Sequence, residues 1–97
     1  MTIYVVRGAS GEFSDRSEWP VRAYLTMREA EAHVTRAEAF ARDHGLKGGY
    51  RGGSAKLGET QALASKLGID PTLEADNHGG TGTYYFIEQV EFLLSAP

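Results

Sequence analysis

The sequence predicts an α+β domain with three strands and two helices in the order β-β-α-α-β. Strand-like segments lie at 3–7, 19–26 and 83–94, and two segments with helix start and stop signals separate the second strand from the third. This order predicts a three-stranded antiparallel or mixed sheet, with the first strand central and both helices on one face. The 97 residues have the size of a single domain, which we place at 1–97.

The first two strands are predicted to occupy different positions in the sheet. Residues 3–6 form the run Ile-Tyr-Val-Val, whose apolar side chains fall on both faces, as is typical of a central strand. The second strand carries Pro20 near its start, and proline cannot donate to a strand ladder. It is therefore predicted to be an edge strand, joined to the first by a long hairpin loop at 8–17.

The closing strand alternates in polarity, which is typical of a half-buried strand. Its apolar set is interrupted by Glu88 and consists of Tyr84, Phe86, Val90, Phe92 and Leu94. Because this strand and the first one lie at opposite ends of the sequence, the two ends are predicted to pair in one sheet. The sheet face away from the helices is then predicted to hold Tyr4, Arg22, Tyr24, Tyr85 and Ile87.

A first helix is predicted at 27–44. Thr26 and Glu29 have the spacing of a capping box, in which hydroxyl and carboxylate satisfy free amides at a helix start. Small and apolar residues follow at steps of three and four, namely Met27, Ala30, Val34, Ala37 and Ala41. Gly45 followed by Leu46 predicts the end, with a left-handed glycine and an apolar residue that folds back.

A second, shorter helix is predicted at 55–67, with Leu57, Leu63 and Leu67 facing inward. Gly68 and Ile69 repeat the stop signal of the first helix. The glycine-rich segment 47–54 before it is predicted to be a mobile loop. The acidic and glycine-rich segment 74–82 is predicted to be a loop that leads into the last strand.

Composition narrows the classes of function. The chain has no cysteine, which removes disulfides, thiolate metal sites and cysteine nucleophiles. Its formal net charge is −3, and the charge is uneven. Residues 1–56 hold nine basic and seven acidic groups (+2), whereas residues 57–97 hold one basic and six acidic groups (−5). Broad nucleic-acid binding is not expected from a net acidic chain.

The apolar runs are far shorter than the roughly 20 residues that span a bilayer, so no membrane partner is expected. The opening residues have no basic leader before an apolar stretch, which argues against a signal peptide. We therefore expect a cytoplasmic protein.

Motifs for catalysis, cofactors and metals are weak, so we predict no enzyme, no cofactor and no metal site. The glycine-rich segment lacks the Lys-Ser/Thr of a phosphate-binding loop. The three histidines are widely spaced and are predicted to lie on the surface. One alternative stays open: residues 70–78 gather Asp70, Glu74, Asp76 and His78, which could bind a small ligand or a cation, although no calcium-loop pattern is present.

The remaining candidates are residues for binding a partner protein. Aromatic side chains and arginine are enriched in protein interfaces, and acidic groups can match a basic partner. Trp19 has two interpretations, since it would be a binding anchor if exposed and a core residue if buried. The predicted partner-binding set is Phe13, Asp15, Glu18, Trp19, Tyr50, Arg51, Asp70, Glu74 and Asp76.

Four short segments carry a resemblance. They are the opening strand with Tyr4-Val5-Val6, the loop 11–15, the helix start 26–32 and the closing strand, whose residues 85–91 read Y-x-I-E-x-V-E. Together they resemble a family of short uncharacterised proteins found in phages and bacteria. The format is also similar to phage anti-defence inhibitors such as anti-CRISPR proteins, which implies action by binding a host protein complex.

These observations lead to three hypotheses. The first is a non-enzymatic protein-binding module, a phage or mobile-element inhibitor that occludes a surface of a host defence complex. The second is a small ligand-binding or cation-binding domain, or an enzyme, that uses the loop 70–78. The third is a nucleic-acid-binding accessory protein that uses Arg28, Arg36 and Arg42 on the first helix. A homodimer is also expected as a way to cover the open sheet face.

Overall fold

The computed structural model describes residues 1–11, 16–47, 54–73 and 82–93, with side chains in the second helix described from residue 58 onward. The elements are β1 (Thr2–Ser10), β2 (Ser17–Tyr24), α1 (Met27–Asp43), α2 (Ser54–Lys66) and β3 (Tyr84–Glu91). They form one sheet in the order β2-β1-β3, with both neighbours antiparallel to β1. The predicted α+β class and the central position of β1 are confirmed.

The two ends of the described chain pair in this sheet, as predicted. The Met1 amino group donates to the Phe92 carbonyl at 2.9 Å, and the Phe92 N–H donates to the Met1 carbonyl at 2.8 Å. The register then runs from Thr2 opposite Glu91 to Ala9 opposite Tyr84. These pairs join residues that are 75 to 91 positions apart, so β3 depends on β1 for its hydrogen bonds.

The edge position of β2 is also confirmed, and a bulge accompanies Pro20. Val6 pairs with Arg22, whereas Arg7 pairs with Pro20, so Val21 is the extra residue on β2. An extra residue lets the strand bend without breaking the pairing on either side. The bend brings Trp19 opposite Gly8, and the indole ring fits there because glycine has no side chain.

Helix α1 begins and ends as the sequence predicts. The Thr26 hydroxyl accepts the Glu29 N–H at 3.2 Å and donates to the Glu29 carboxylate at 2.8 Å. At the other end Gly45 has a φ of 71°, and the Leu46 N–H bonds to the Ala41 carbonyl at 2.8 Å, as in a Schellman ending. The buried stripe is shifted from the predicted one and consists of Ala30, His33, Ala37, Phe40 and Ala41.

Helix α2 has the same ending. The Ile69 N–H bonds to the Ala64 carbonyl at 2.9 Å, after Gly68 with a φ of 69°. Ile69 folds back into the core, as predicted, but Leu67, which we expected to face inward, is 57% exposed. The glycine turn directs the chain so that Ile69 and Asp70 both enter the interior. The predicted loops at 47–54 and 74–82 lie mostly outside the described residues.

Our prediction of which sheet face the helices cover is wrong. Residues opposite each other in a sheet share a face, and Trp19 and Tyr85 both oppose Gly8 and are buried. The helices therefore cover the face that we predicted to be open, with Tyr4, Arg22, Tyr24, Tyr85 and Ile87. The physical reason is that β3 carries apolar side chains on both faces, so alternation alone does not say which face is inward.

The core lies between this sheet face and the helices. It is built from large side chains of the sheet, small side chains of the helices and the apolar residues that follow the glycine turns. Its buried members are Trp19, Ala37, Phe40, Ala41, Leu46, Ala64, Ile69, Leu73 and Tyr85. In the described ranges, none of the helices has the length and apolar character needed to cross a membrane.

Candidate functional site

Asp70 is the centre of a buried hydrogen-bond network. Its Oδ2 accepts the Trp19 indole N–H at 2.8 Å and the Tyr85 hydroxyl at 2.8 Å, and its Oδ1 accepts the Thr72 N–H at 3.3 Å. Burial raises the pKa of Asp70, and the hydrogen bonds from Trp19 and Tyr85 act in the opposite direction. All three neighbours are donors, which matches an ionised carboxylate. The network ties β2, β3 and the turn after α2 together.

His33 makes a second buried contact with the same turn. Its Nε2 lies 2.7 Å from the Ile69 carbonyl, and its Nδ1 lies 2.7 Å from the Tyr24 hydroxyl. A carbonyl can only accept, so Nε2 carries the proton and Nδ1 accepts from Tyr24. Burial is the main cause that lowers the pKa of His33, so the ring is held neutral. The prediction that His33 lies on the surface is wrong, because the turn after α2 closes over it.

Trp19 and Asp70 need correction as predicted partner-binding residues. Trp19 is 2% exposed and Asp70 is 0% exposed, and each satisfies the other. A buried anchor cannot dock on a partner unless the domain opens, so the core interpretation of Trp19 holds. Glu18, in contrast, is exposed on β2 and contacts Arg16 at 2.9 Å. The other predicted residues lie outside the described ones: Phe13, Asp15, Tyr50, Arg51, Glu74 and Asp76.

The described part of the predicted acidic site does not form a cation site. Asp70 points into the core, and no group of three His, Asp or Glu side chains gathers within the described ranges. Glu74, Asp76 and His78 lie outside those ranges. The buried position of Asp70 therefore does not fit the role in binding a ligand or a cation that the sequence suggested for it.

Strand β3 has a free edge. In an antiparallel strand, the backbone groups of alternate residues point to opposite sides. Phe92 bonds to Met1, so the even-numbered residues of β3 direct their backbone groups toward β1. The odd-numbered residues therefore direct theirs away from the sheet, on the side where the described residues form no further strand.

Glu38 of α1 occupies one position on this edge. Its Oε2 accepts the outward Tyr85 N–H at 2.8 Å, while its Oε1 pairs with Lys47 at 2.6 Å. The next outward amides are those of Ile87 and Gln89, and neither has a hydrogen-bond partner among the residues that the structure describes. Two adjacent backbone donors are thus presented to the outside.

An open groove of about 350 Å³ runs beside these amides, between α1 and β3. We call it the edge groove, and its lining residues are Glu31, Val34, Thr35, Phe86 and Ile87. Glu38 lies at one end, beside Tyr85, and Glu31 is two helical turns earlier in α1. Two turns span about 11 Å, which is the length of about three residues of an extended chain.

The second face of the sheet carries a small charge network. Arg7, at the centre of that face, lies 3.8 Å from Glu18 on β2 and 3.8 Å from Glu88 on β3. Arg16 lies over the Tyr84 ring, 5.3 Å from its centroid. Exposed ion pairs of this kind contribute about 1 kcal/mol or less. The network sets the charge of the surface more than it stabilises the fold.

Comparisons of this chain with protein-family models, with curated proteins and with solved structures find no match. The resemblance to phage and bacterial proteins stays a prediction. Sequence reasoning did not identify the edge groove. The only available signal was that a three-stranded sheet with β1 in the centre must leave β3 with a free edge.

Proposed function

We propose that this chain is a non-enzymatic protein-binding module that accepts an extended segment of a partner protein on the free edge of β3. The segment would lie in the edge groove and add a fourth strand to the sheet. The observation that carries the proposal is the pair of outward amides at Ile87 and Gln89 beside a groove about as long as three residues of an extended chain. Addition of a strand to an exposed sheet edge is a recurrent mode of peptide recognition.

The helix beside the edge supports this mode. An incoming strand would gain backbone hydrogen bonds from β3, and its side chains on the helix side would contact Val34 and Ile87, which are both partly buried already. Backbone bonds supply affinity that does not depend on sequence, and the groove supplies selectivity. A groove of this size fits a short segment rather than a folded domain.

A non-enzymatic role is supported by the use of the buried polar groups. Among the described acidic and histidine side chains, Asp70 and His33 are the two whose pKa is shifted by burial. Both point into the core. Their hydrogen bonds hold the turn after α2 in place. Neither reaches the edge groove, so neither could act on a segment bound there.

The partner's identity is proposed from the resemblance alone. It implies a host protein complex in the cytoplasm, bound by a phage or mobile-element inhibitor. An inhibitor that captures one exposed strand segment of a larger complex would act by occlusion, as the first hypothesis states. The described residues favour neither the cation site at 70–78 nor nucleic-acid binding through α1.

The test is selection of short random peptides on the purified chain, followed by titration of synthetic copies of the selected peptides into isotope-labelled protein. The expected result is that the amide signals of Ile87 and Gln89 shift and that their hydrogen exchange slows. Gln89→Pro removes one outward donor without touching the bonds to β1, so it should abolish binding, whereas Gln89→Ala should bind normally. Peptides that bind Gln89→Pro as well as the native chain would overturn the proposal.

A further inference from the structure

We infer that the segment accepted in the edge groove is basic, with an apolar residue at its centre; this inference rests on the proposed function. The partner class is thus an extended protein segment in which a Val-like or Ile-like residue is flanked by lysine or arginine. The inference follows from which side chains of the domain surround each position of an added strand.

The central position is apolar because of the strand alternation. Ile87 points to the helix side of the sheet, where it lines the groove with Val34. A partner residue directly opposite Ile87 shares that face. Its side chain would therefore lie against Ile87 and Val34, and burial of apolar surface favours an aliphatic group there by about 25 cal/mol per Å².

Two positions on the Glu88 and Gln89 side of the centre face carboxylates. The partner residues next to the centre point to the other sheet face, one beside Glu88 and the other beside Phe86. The partner residue opposite Gln89 returns to the helix side, toward the end of the groove at Glu31. The Glu31 carboxylate has no partner among the residues that the structure describes, and the Glu88 carboxylate has only Arg7 at 3.8 Å. Both can accept a cation from the partner.

The same charges disfavour a second copy of this chain as the occupant. Strand β3 carries Glu88 and Glu91 and no basic residue. If two copies paired antiparallel through β3 with Ile87 opposite Gln89, the two Glu88 carboxylates would lie directly opposite each other. Like charges across a strand pair destabilise it, so a basic partner is favoured over self-pairing.

The experiment titrates the full chain with two synthetic peptides, one with a central valine between two pairs of lysines and one with a central valine between two pairs of glutamates. The lysine peptide should shift the amide signals of Ile87 and Gln89, with an affinity that falls as salt is added. The glutamate peptide should leave them unchanged. Glu31→Gln and Glu88→Gln should each weaken the lysine peptide about two- to fivefold, the range of an exposed ion pair.

A matched pair of variants separates groove binding from general attraction to an acidic surface. Thr35→Lys adds a positive charge in the groove and should weaken the lysine peptide at least as much as Glu31→Gln does. Ala32→Lys adds the same charge on an exposed position of α1 outside the groove and should have less effect. Equal loss in the two variants would show nonspecific attraction and would overturn the inference.

The peptide selection and the oligomeric state of the protein alone also test the inference, and they separate it from the proposed function. If peptides from the random selection bind at Ile87 and Gln89 but are acidic or uncharged, the inference is wrong and the proposed function stands. If the selection gives no peptide that binds at this edge, the proposed function itself is wrong. If the protein alone forms a dimer whose interface includes the Ile87 and Gln89 amides, the occupant is a second copy and the inference of a basic partner is wrong.

Discussion

The Trp19 indole N–H donates to Asp70 Oδ2 at 2.8 Å, a contact that joins β2 to the turn after α2 across 51 residues of sequence. The same oxygen accepts the Tyr85 hydroxyl from β3. One buried carboxylate oxygen therefore fixes three parts of the fold relative to one another. Because Asp70 is fully buried, the loss of any member leaves a polar atom with no access to water.

The first prediction is that Tyr85→Phe lowers the stability of the native chain but raises the stability of a chain that lacks the Asp70 carboxylate. Tyr85→Phe in the native chain removes a donor from a buried carboxylate and should lower the free energy of unfolding by about 2 kcal/mol. Asp70→Ala leaves the indole N–H and the hydroxyl without an acceptor, and should cost about 2–5 kcal/mol. In the Asp70→Ala background, Tyr85→Phe should instead stabilise the protein, since it removes a buried donor that has no acceptor.

Urea unfolding of the four proteins measures this cycle. Tyr84→Phe is the matched control, because Tyr84 lies on the opposite sheet face, where the structure places Arg16 over its ring. It should change the stability by less than about 0.5 kcal/mol. If Tyr85→Phe destabilised both backgrounds equally, the hydroxyl would not depend on Asp70 and the network would be wrong.

The second prediction concerns the close approach of Gly8 and Trp19. A Cβ at Gly8 would lie 2.6 Å from the indole Cε2 of Trp19, closer than side chains approach each other. Gly8→Ala should therefore push the ring away from Asp70 and cost about 1–3 kcal/mol or more. Thermal or urea unfolding, with near-ultraviolet circular dichroism of the single tryptophan, measures both the loss and the displaced ring.

Gly58→Ala provides a control with the opposite sign. Gly58 is exposed in α2, and a Cβ there meets nothing within 4 Å. Alanine in a helix interior is more favourable than glycine by about 1 kcal/mol, so this variant should be more stable than the native chain. A Gly8→Ala protein as stable as the native one would mean that the indole does not lie over β1.

The third prediction is a loss of stability below pH 6.5 that depends on His33. The pKa of His33 is lowered from its usual value of 6.5. As the pH falls, the unfolded chain takes up this proton first, so the folded state loses stability from pH 6.5 downward until the folded pKa is reached. The slope can approach about 1.4 kcal/mol per pH unit for one proton. Arg36 and Arg22 act in the same direction as burial.

Asp70 acts in the opposite direction, so a variant is needed to separate the two. The pKa of Asp70 is raised above 3.8, so the folded state binds this proton before the unfolded chain does, and acidification through that folded pKa favours folding. His33→Gln keeps a donor for the Ile69 carbonyl and an acceptor for the Tyr24 hydroxyl. Its stability should not show the decline that begins at pH 6.5. A native profile without that decline would mean that His33 is not held neutral.

Local sequence chemistry was sufficient for the elements and their ends. Thr26 with Glu29 predicted the start of α1, and the pairs Gly45-Leu46 and Gly68-Ile69 predicted both helix ends, because each motif is complete within six residues or fewer. Pro20 predicted an edge strand for the same reason. These features depend on backbone groups that the local sequence itself satisfies.

The buried polar contacts could not be predicted from local sequence motifs. Burial of His33 depends on a carbonyl 36 residues away, and burial of Asp70 depends on Trp19 and Tyr85 in two different strands. The sequence marks these residues as polar, and polar residues are usually exposed. The inward face of β3 was predicted wrongly because both of its faces carry apolar side chains. Tyr85 lies on one face and Phe86 on the other, so alternation does not show which face is buried.

The fourth prediction concerns Glu38, which limits the free edge of β3. A strand edge with several open amides invites unwanted pairing between copies, and charged side chains near the edge counteract it. Glu38 does so directly, since its carboxylate occupies the outward Tyr85 N–H, whereas the amides of Ile87 and Gln89 beside the groove have no partner among the described residues. The carboxylate is held there by Lys47 at 2.6 Å.

Glu38→Ala should therefore expose the Tyr85 amide and lengthen the free edge, whereas Glu38→Gln keeps an acceptor for it and loses mainly the charge. Hydrogen exchange by NMR should show a faster Tyr85 amide in the alanine variant, by about five- to tenfold if the bond contributes about 1 kcal/mol, and a smaller change in the glutamine variant. Lys47→Met tests whether the lysine matters for this bond, and it should change the exchange rate less than Glu38→Ala does. Equal protection of Tyr85 in the native, alanine and glutamine proteins would show that Glu38 does not limit the edge.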